Sequence, residues 1–428
     1  MASPNVQRSS VVSAAETRPN YTPAFAVVTM LFFMWGFLTC LNDILIPHLK
    51  AIFELSYAQA ALIQFTFFSA YFIMSLPSGK VIAKVGYKRG IVIGLSTAGI
   101  GALLFYPSAA FFSYPLFLTA LFVLASGITL LQVAANPYVA VLGRPETASS
   151  RLNLAQAFNS LGTTIAPAFG GLLILSGSLK TAEELRTMTP EAVQLYKLTE
   201  AASVQGPYLG LALALFALAG IIALFNLPVI PTVEGDEEKE SAFGEALKQK
   251  QLAFGALGIF LYVGAEVSIG SFLVNFLGLP SIQGLKESDA ANFVSYYWGG
   301  AMVGRFIGSA LLVRIKPGTL LGIFAIVAAT LIVLALLFSG AVSMWLILSV
   351  GLFNSIMFPT IFTLGIDGLG KLTNAGSSLL IMAIVGGALL PVAMGALADA
   401  VGLQAAFLLP ALCYAYIAYY GFLGSKHK

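Results

Sequence analysis

The stretch PTVEGDEEKESAFGEALKQKQ, residues 231–251, is the most charged part of this chain and lies near its middle. Elsewhere charge is scarce, because charged residues make up only 10% of the 428 residues and hydrophobic residues make up 58%. A soluble domain carries about 25% charged residues. The composition therefore indicates a membrane protein, and the charged stretch is predicted to be a linker between two apolar halves. The net charge of +3 gives no indication of nucleic-acid binding.

Long apolar runs on both sides of this linker predict twelve membrane-spanning helices, because about 20 apolar residues cross a bilayer as a helix. A transmembrane β-barrel would instead show short segments of alternating hydrophobicity. The predicted spans are 22–46, 57–79, 90–110, 115–142, 152–177, 206–230, 252–277, 291–313, 318–338, 343–366, 374–398 and 403–424. We therefore expect an all-α membrane protein: a tail at 1–21, a six-helix bundle at 22–230, the linker at 231–251, a second six-helix bundle at 252–424, and a tail at 425–428.

Basic residues cluster in the short loops that follow spans two, four and eight. Lys and Arg are enriched in cytoplasmic loops, and with twelve spans all of these loops lie on one side. Both chain ends and the linker are then cytoplasmic, and the first span is expected to stay in the membrane because no signal peptide is recognised. The basic residues are Lys80, Lys84, Lys88, Arg89, Arg144, Arg151, Arg314 and Lys316.

The two halves share a weak internal repeat. Span four places Gln132 five residues before Pro137, and span ten places Asn354 five residues before Pro359. The segment GTTIAP at 162–167 in span five is echoed by GGALLP at 386–391 in span eleven. Two pseudo-symmetric bundles with a binding site between them at mid-membrane depth form the plan of many secondary transporters.

Two acidic residues fall within predicted spans, Asp43 in the first and Glu266 in the seventh. A charge at the centre of a membrane helix costs at least roughly 2.5–3.5 kcal/mol on insertion scales, so such residues usually have a functional role. Asp43 could alternatively be a helix-end residue, because Pro47 follows it closely. Glu266 lies near the middle of a span that has no other charge.

Amide and aromatic side chains accompany these acids. Each amide could serve only to bind a neighbouring helix, and each aromatic ring could serve only in packing. Together, however, amides and carboxylates provide donors and acceptors that suit a neutral polyhydroxyl compound, and no cluster of Lys or Arg is available to bind an anion. The predicted substrate-binding residues are Gln132, Asn136, Gln156, Asn159, Glu266, Asn354 and Trp298.

A coupling cation is the natural companion of an isolated carboxylate in a membrane. Asp43, Asn42 and Gln132 are the predicted ion-coupling residues, with either a proton or Na⁺ as the ion. Lys80, Arg89 and Arg305 are predicted to lie at the cytoplasmic loops and gate, where Arg305 could also extend to the membrane surface. The sequence has no phosphate-binding loop and only two histidines, so we expect neither an enzyme nor a cofactor.

Six segments resemble the fucose:proton symporter family of the major facilitator superfamily, and in particular its bacterial glucose/galactose branch. They are FMWGFLTCLNDILIPHLKAIF at 33–53, LIQFTFFSAYFIM at 62–74, LLQVAANPYVAVLG at 130–143, RLNLAQAFNSLGTTIAP at 151–167, VSYYWGGAMVGRF at 294–306 and GLFNSIMFPTIF at 351–362. The resemblance covers nearly the whole chain after residue 22. It implies the major facilitator fold, sugar uptake by alternating access, and a bacterial inner membrane as the location.

The resemblance also implies roles for individual residues. Asp43 matches a functional acid of the family, and Gln156 and Asn159 match amides that line the sugar cavity. Family members carry a second essential acid in span four, where this chain has Gln132, which cannot titrate. Because the glucose/galactose branch includes sodium-coupled members, the substitution favours Na⁺, with Asp43 as its ligand.

We therefore expect a monomeric, sodium-coupled symporter of glucose or galactose, whose partners are a monosaccharide, a coupling cation and the lipid bilayer. A proton-coupled symporter of fucose or another hexose is the alternative within the same class. A facilitative sugar channel or a sugar sensor that does not transport is the alternative from another class.

Overall fold

The computed structural model describes residues 21–53, 57–173, 184–185, 187–228 and 241–426, and within these ranges the regular structure is entirely helical. The side chains of 41–53 lie outside the described set, although the backbone there is helical. Residues 1–20 of the predicted N-terminal tail and residues 231–240 of the predicted linker also lie outside the described residues.

The helices follow the predicted order of spans. In the N-terminal half, span 1 is Thr22–Phe53, spans 2 and 3 form Tyr57–Ala110, and spans 4, 5 and 6 are Tyr114–Val141, Ala148–Leu173 and Pro190–Leu224. In the C-terminal half, spans 7, 8 and 9 are Lys250–Leu277, Glu287–Leu311 and Pro317–Leu337. Spans 10, 11 and 12 are interrupted, as Gly340–Asn354 with Met357–Ile366, Thr373–Met382 with Gly386–Val401, and Leu403–Ala406 with Leu408–Phe422. Ser241–Lys248 is a short α-helix before span 7, and the single 3₁₀ turns are Pro145–Thr147, Gly370–Leu372, Ala383–Val385 and Gly424–Lys426.

Nine helices in the described part of the chain are long and apolar enough to cross a membrane. One of them, Leu62–Ala110, contains two predicted spans, and spans 5 and 8 are helical but are not among the nine. These helices together account for the twelve predicted crossings. Spans 5 and 8 are less apolar because they carry the polar side chains that join the two halves, as described below.

The boundary between spans 2 and 3 differs from the prediction, which left residues 80–89 as a loop. Tyr57–Ala110 is continuous except at Gly86, whose φ of 78° and ψ of 168° are not helical. Glycine adopts a positive φ without a steric penalty. The chain therefore changes direction at a single residue, and the basic loop is reduced to a kink.

Span 6 begins sixteen residues before the prediction of 206, at Pro190. Thr189 accepts a hydrogen bond from the backbone N–H of Ala192, Pro190 occupies the first helical position, and Glu191 lies in the first turn. These are standard helix-starting features. The 35-residue helix is about 52 Å long, which exceeds the roughly 30 Å hydrocarbon core. The segment that hydropathy assigned to an outer loop is thus a helical extension of span 6.

Loops that the positive-inside rule places together meet at one end of the molecule. A cleft of about 390 Å³ is lined by Tyr87 of the 2–3 connection, Gly143 of the 4–5 connection and Lys371 of the 10–11 connection. At the other end, a pocket of about 710 Å³ is lined by Ser281 after span 7 and Gly402 between spans 11 and 12. We call the first end the basic face and the second the opposite face.

Spans 1 and 5 pack with their backbones in close contact. A Cβ atom added to Gly162 would overlap the backbone carbonyl oxygen of Phe33, and one added to Gly36 would overlap that of Asn159. Glycine is therefore required at this crossing. The same crossing places Asn159 against span 1, where it donates a hydrogen bond to the Phe32 carbonyl at 2.9 Å.

We expect Gly162→Val to lower the free energy of unfolding by about 1–3 kcal/mol, the usual cost of inserting methyl groups into a packed interior. Thermal unfolding of the purified protein, followed by tryptophan fluorescence, measures the loss. Gly220→Val in span 6 is the matched control, since a Cβ there meets no atom within 4 Å. Equal melting temperatures for the two variants would contradict the close packing of spans 1 and 5.

Candidate functional site

The amide–proline motif occupies equivalent positions in the two halves. Gln132 Nε2 in span 4 donates to the Tyr71 hydroxyl of span 2 at 2.8 Å. Asn354 Nδ2 in span 10 donates to the Tyr297 hydroxyl of span 8 at 2.6 Å, and also to the Tyr414 hydroxyl at 3.2 Å. Spans 2 and 8 are counterparts in a six-span repeat. The repeat seen in the sequence is thus also a repeat of amide–tyrosine pairs.

Each proline of the motif frees a carbonyl four residues earlier, because proline has no N–H to donate. Pro137 frees the carbonyl of Val133, which accepts a hydrogen bond from Ser377 of span 11 at 3.2 Å. Pro359 frees the carbonyl of Ser355, which accepts from Arg305 Nε at 3.2 Å. Membrane helices tolerate proline when neighbouring helices satisfy the freed groups. Both kinks are therefore anchored by side chains from other spans.

A small cavity of about 150 Å³ lies within the N-terminal half. It combines aromatic rings with a hydroxyl and an amide, which is the mixture that a polar compound with an apolar face requires. The lining residues are Trp35 and Thr39 of span 1, Phe67 and Tyr71 of span 2, Leu124 and Ile128 of span 4, and Asn159 of span 5. Asn159 is the predicted substrate-binding amide that lines this cavity.

Three further predicted amides, Gln132, Gln156 and Asn136, lie between the cavity and the basic face. Gln132 contacts the cavity through its bond to Tyr71, a lining residue. Gln156, one turn from Asn159 on span 5, donates to Asn136 Oδ1 at 3.4 Å. Asn136 is fully buried, and its Nδ2 makes no hydrogen bond among the described residues. The structure thus brings Gln132, Asn136, Gln156 and Asn159 into one polar layer.

Glu266 and Arg305 form the charged part of the site in the C-terminal half. The Tyr262 hydroxyl donates to Glu266 Oε1 at 2.7 Å, and Arg305 Nη2 lies 3.9 Å from the same oxygen. The side chains of Glu266 and Arg305 are only 13% and 16% exposed. Arg305 Nη1 also donates to the Ser160 hydroxyl of span 5. The carboxylate therefore has a counter-charge that reaches into the other half.

Polar contacts join the two halves on the side of the basic face, along a surface that we call the seam. Ser150 and Ser309 hydrogen bond reciprocally through hydroxyls and backbone carbonyls, at 2.8 and 3.0 Å. The other contacts are Ser149 with Thr363 at 2.6 Å, Asn153 with Thr360 at 3.1 Å, Ser377 with the Val133 carbonyl at 3.2 Å, and Arg305 with Ser160. Among the described residues, hydrogen bonds between the halves extend no nearer the opposite face than Thr164, which contacts Met302 at 3.5 Å.

Other predicted site residues lie apart from this arrangement. Asn354 is fully buried inside the C-terminal half and is not among the residues lining the cavity. Trp298 is 43% exposed on span 8, two turns from Arg305 toward the opposite face. Lys80 and Arg89 are exposed at the basic face. The side chains of Asn42 and Asp43 lie outside the described residues, so their predicted ion-coupling role stays a prediction.

Sequence reasoning missed the tyrosines and hydroxyls that complete the site, namely Tyr71, Tyr262, Ser160, Ser355 and the seam residues. Serine, threonine and tyrosine are too common in membrane helices to single out. One signal was available: the residue four positions before each proline offers a free carbonyl, which identifies Val133 and Ser355.

Comparison with known proteins agrees with this architecture. The chain is 56% identical over 412 residues to the glucose/galactose transporter of Brucella abortus biovar 1 (strain 9-941), covering 96% of each chain. It is 37% identical over 404 residues to the L-fucose-proton symporter of Escherichia coli (strain K12), covering 93% of this chain and 92% of that one. A crystal structure of FucP, a Major Facilitator Superfamily transporter in the outward conformation, superposes with a TM-score of 0.89 at 37% identity over 94% of this chain and 99% of the other. The family model of the Major Facilitator Superfamily matches residues 24–384, and the chain belongs to this superfamily.

Proposed function

We propose that this protein is a symporter that imports a hexose, glucose or galactose, by alternating access of its two halves to a central site. The observation that carries the proposal is the polar layer of amides beside an aromatic-lined cavity, faced by the Glu266–Arg305 pair of the other half. The names of the relatives, a glucose/galactose transporter and an L-fucose-proton symporter, support a sugar as the substrate.

The chemistry of the site favours a neutral sugar over an ion or an apolar solute. Asn159, Thr39 and Tyr71 offer donors and acceptors to hydroxyl groups, and Trp35 offers a ring face. In the described part of the site, the single guanidinium of Arg305 is already paired with Glu266, so it does not form a clamp for an anion. Glu266 can accept hydrogen bonds from sugar hydroxyls through the oxygen that does not bind Tyr262.

Our proposal for the orientation and the conformational state is based on the two faces and the seam. We propose that the basic face is cytoplasmic, in the inner membrane of a bacterium, with both chain ends on that side. The seam then closes the cytoplasmic side, so this conformation would take up sugar from outside the cell. The similar solved structure is described as being in the outward conformation, which supports this assignment.

Two coupling cations have support from different observations. Na⁺, the ion favoured by the sequence, is supported by Gln132. Its amide bonds to Tyr71 and cannot take up a proton, whereas a titratable acid at this position could. A proton is supported by the relative named as an L-fucose-proton symporter, which aligns with 93% of this chain. The name of this relative points to a proton, so the proposal of Na⁺ depends on Gln132 alone.

We expect labelled glucose or galactose to accumulate in proteoliposomes only when a cation gradient is imposed. Imposing a Na⁺ gradient at equal pH, and a pH gradient in Na⁺-free buffer, separates the two cations. Uptake driven by pH alone would remove the sodium proposal, and uptake down the sugar gradient alone would indicate a facilitator. Counterflow into sugar-loaded vesicles completes the test, because a non-transporting sensor would exchange no sugar.

Gln132→Glu is expected to change the cation dependence, because it places a titratable carboxyl beside Tyr71 in the polar layer. We expect uptake by this variant to become strongly dependent on the pH gradient. Gln404→Glu, an exchange of the same kind in a pocket at the opposite face, is the matched control. An unchanged cation requirement in Gln132→Glu would mean that this position does not select the ion.

A further inference from the structure

The seam between the halves is built almost entirely from neutral groups. Ser149, Ser150 and Asn153 of span 5 meet hydroxyls and carbonyls of spans 8 and 10, and none of these partners carries a charge. Arg305 is the exception among the described residues, since its guanidinium is the one charged group that donates across to the other half. A neutral hydroxyl pair contributes little net stability, whereas bonds to charged groups are stronger.

Arg305 is held by three partners on three different spans. Within its own half, Nε donates to the Ser355 carbonyl at 3.2 Å and Nη2 lies 3.9 Å from Glu266 Oε1. Across the seam, Nη1 donates to the Ser160 hydroxyl. Pro359 makes the Ser355 carbonyl available by removing the N–H that would otherwise bind it. The proline kink of span 10 and the acid of span 7 thus jointly position one guanidinium against span 5.

Spans 5 and 8 run antiparallel past this contact. Ser150 meets Ser309 near the basic face, and the rings of Phe158 and Phe306 lie 5.7 Å apart at a steep angle. Arg305 and Ser160 follow deeper in the membrane, directly beside the Glu266 carboxylate of the central site. Arg305 is therefore the point where the candidate sugar site and the seam touch.

We propose that Arg305 is a latch that links Glu266 in the central site to closure of the seam. This rests on the proposed transport function, because only a protein that alternates between two states needs such a link. The charge of Glu266 keeps the guanidinium at mid-membrane depth, where it can hold Ser160. Without that counter-charge the guanidinium would move toward water at the basic face, and the contact with the opposite half would be lost.

The direction of the effect follows from these contacts. Loss of the guanidinium, of the Ser160 hydroxyl or of the Glu266 charge each removes stabilisation from the closed seam only. Each change therefore raises the population that is open at the basic face, before any sugar is added. Sugar that engages Glu266 would act on the same equilibrium, which gives substrate binding a direct route to the seam.

The population of the open state can be measured by thiol labelling. A reporter cysteine, Ser150→Cys, is placed in a background with Cys40→Ser and Cys413→Ala, because Ser150 is buried in the closed seam. We expect Arg305→Gln and Glu266→Gln to raise the maleimide labelling rate of this cysteine about tenfold, within the usual range of coupling energies. Ser160→Ala keeps every charge and should raise the rate in the same direction, by a smaller factor. Arg305→Lys, which keeps the charge but not the planar fork, should fall between the parent and Arg305→Gln.

Arg314→Gln is the matched control, because Arg314 is an exposed arginine beyond the end of the same helix. In this variant the reporter cysteine at position 150 should be labelled at the parent rate. Parent-like labelling of both Arg305→Gln and Ser160→Ala would overturn the latch. If Arg305→Gln does not fold, Ser160→Ala and Arg305→Lys decide the question. Thermal stabilisation by glucose, measured on both the parent and the Ser160→Ala protein, separates the latch from the proposed transport function. If glucose stabilises neither protein, the result counts against hexose transport. The labelling rates test the latch independently.

Discussion

Glu266→Gln is expected to lower sugar uptake at subsaturating sugar by about 10- to 100-fold. The substitution keeps the shape of the side chain but removes the negative charge, and a hydrogen bond to a charged group contributes about 1.5–3 kcal/mol, or roughly one to two powers of ten in binding. Glu266 also loses its ion pair with Arg305, 3.9 Å away. Initial uptake rates and sugar-dependent thermal stabilisation of the same preparation measure the effect.

The control for this variant is Glu287→Gln, which removes an exposed carboxylate at the start of span 8. Its uptake and its thermal stabilisation by sugar should match those of the parent. Wild-type sugar stabilisation in Glu266→Gln, together with faster labelling at the seam, would assign Glu266 to the latch alone. The two readouts therefore distinguish a residue that contacts sugar from one that only holds Arg305.

Asp43→Asn is expected to abolish concentrative uptake, so that sugar inside the vesicles only reaches the outside concentration. The expectation rests on the sequence: Asp43 is the one acid in the first predicted span, and a carboxylate there costs too much to be retained without a role. Exchange of sugar in counterflow should persist, because it needs no net cation movement. Accumulation and counterflow measured on the same vesicles show the difference.

Asp289→Asn serves as the matched control for Asp43→Asn, since Asp289 is an exposed acid in the first turn of span 8. Full accumulation by Asp43→Asn would mean that Asp43 is a helix-end residue before Pro47 and has no role in coupling. Loss of counterflow as well as accumulation would instead place Asp43 in sugar binding.

Several features of this protein were predictable because they depend on local patterns. The order of the spans follows from runs of apolar residues, and the meeting of the basic connections at one end of the molecule follows from the placement of Lys and Arg. The spacing of Gln132 to Pro137 and of Asn354 to Pro359 predicted a repeat, and the structure shows equivalent tyrosine partners in both halves. The superfamily predicted from the resemblance is confirmed by the family model.

Other features could not be read from the sequence, and the reasons are physical. Hydropathy places the start of span 6 at residue 206, near the membrane surface. The helix instead begins at Pro190, because capping, and not lipid, decides where a helix begins. Gln132, Gln156 and Asn159 lie together as expected, but Asn354 bonds two tyrosines inside its own half and does not line the cavity. A mid-span amide has the same appearance in the sequence whether it faces a cavity or a neighbouring helix.

The sequence by itself determined the class of this protein, the number of its spans and the helices that carry its polar residues, because hydrophobicity and proline act within a few residues along the chain. Only the tertiary structure decided which of those residues meet. Arg305 and Ser160 are 145 positions apart, and Ser377 and the Val133 carbonyl are 244 apart. These partners are set by how twelve helices pack against one another, since the groups that a proline or a buried charge leaves unsatisfied must find whichever side chain the packing brings near.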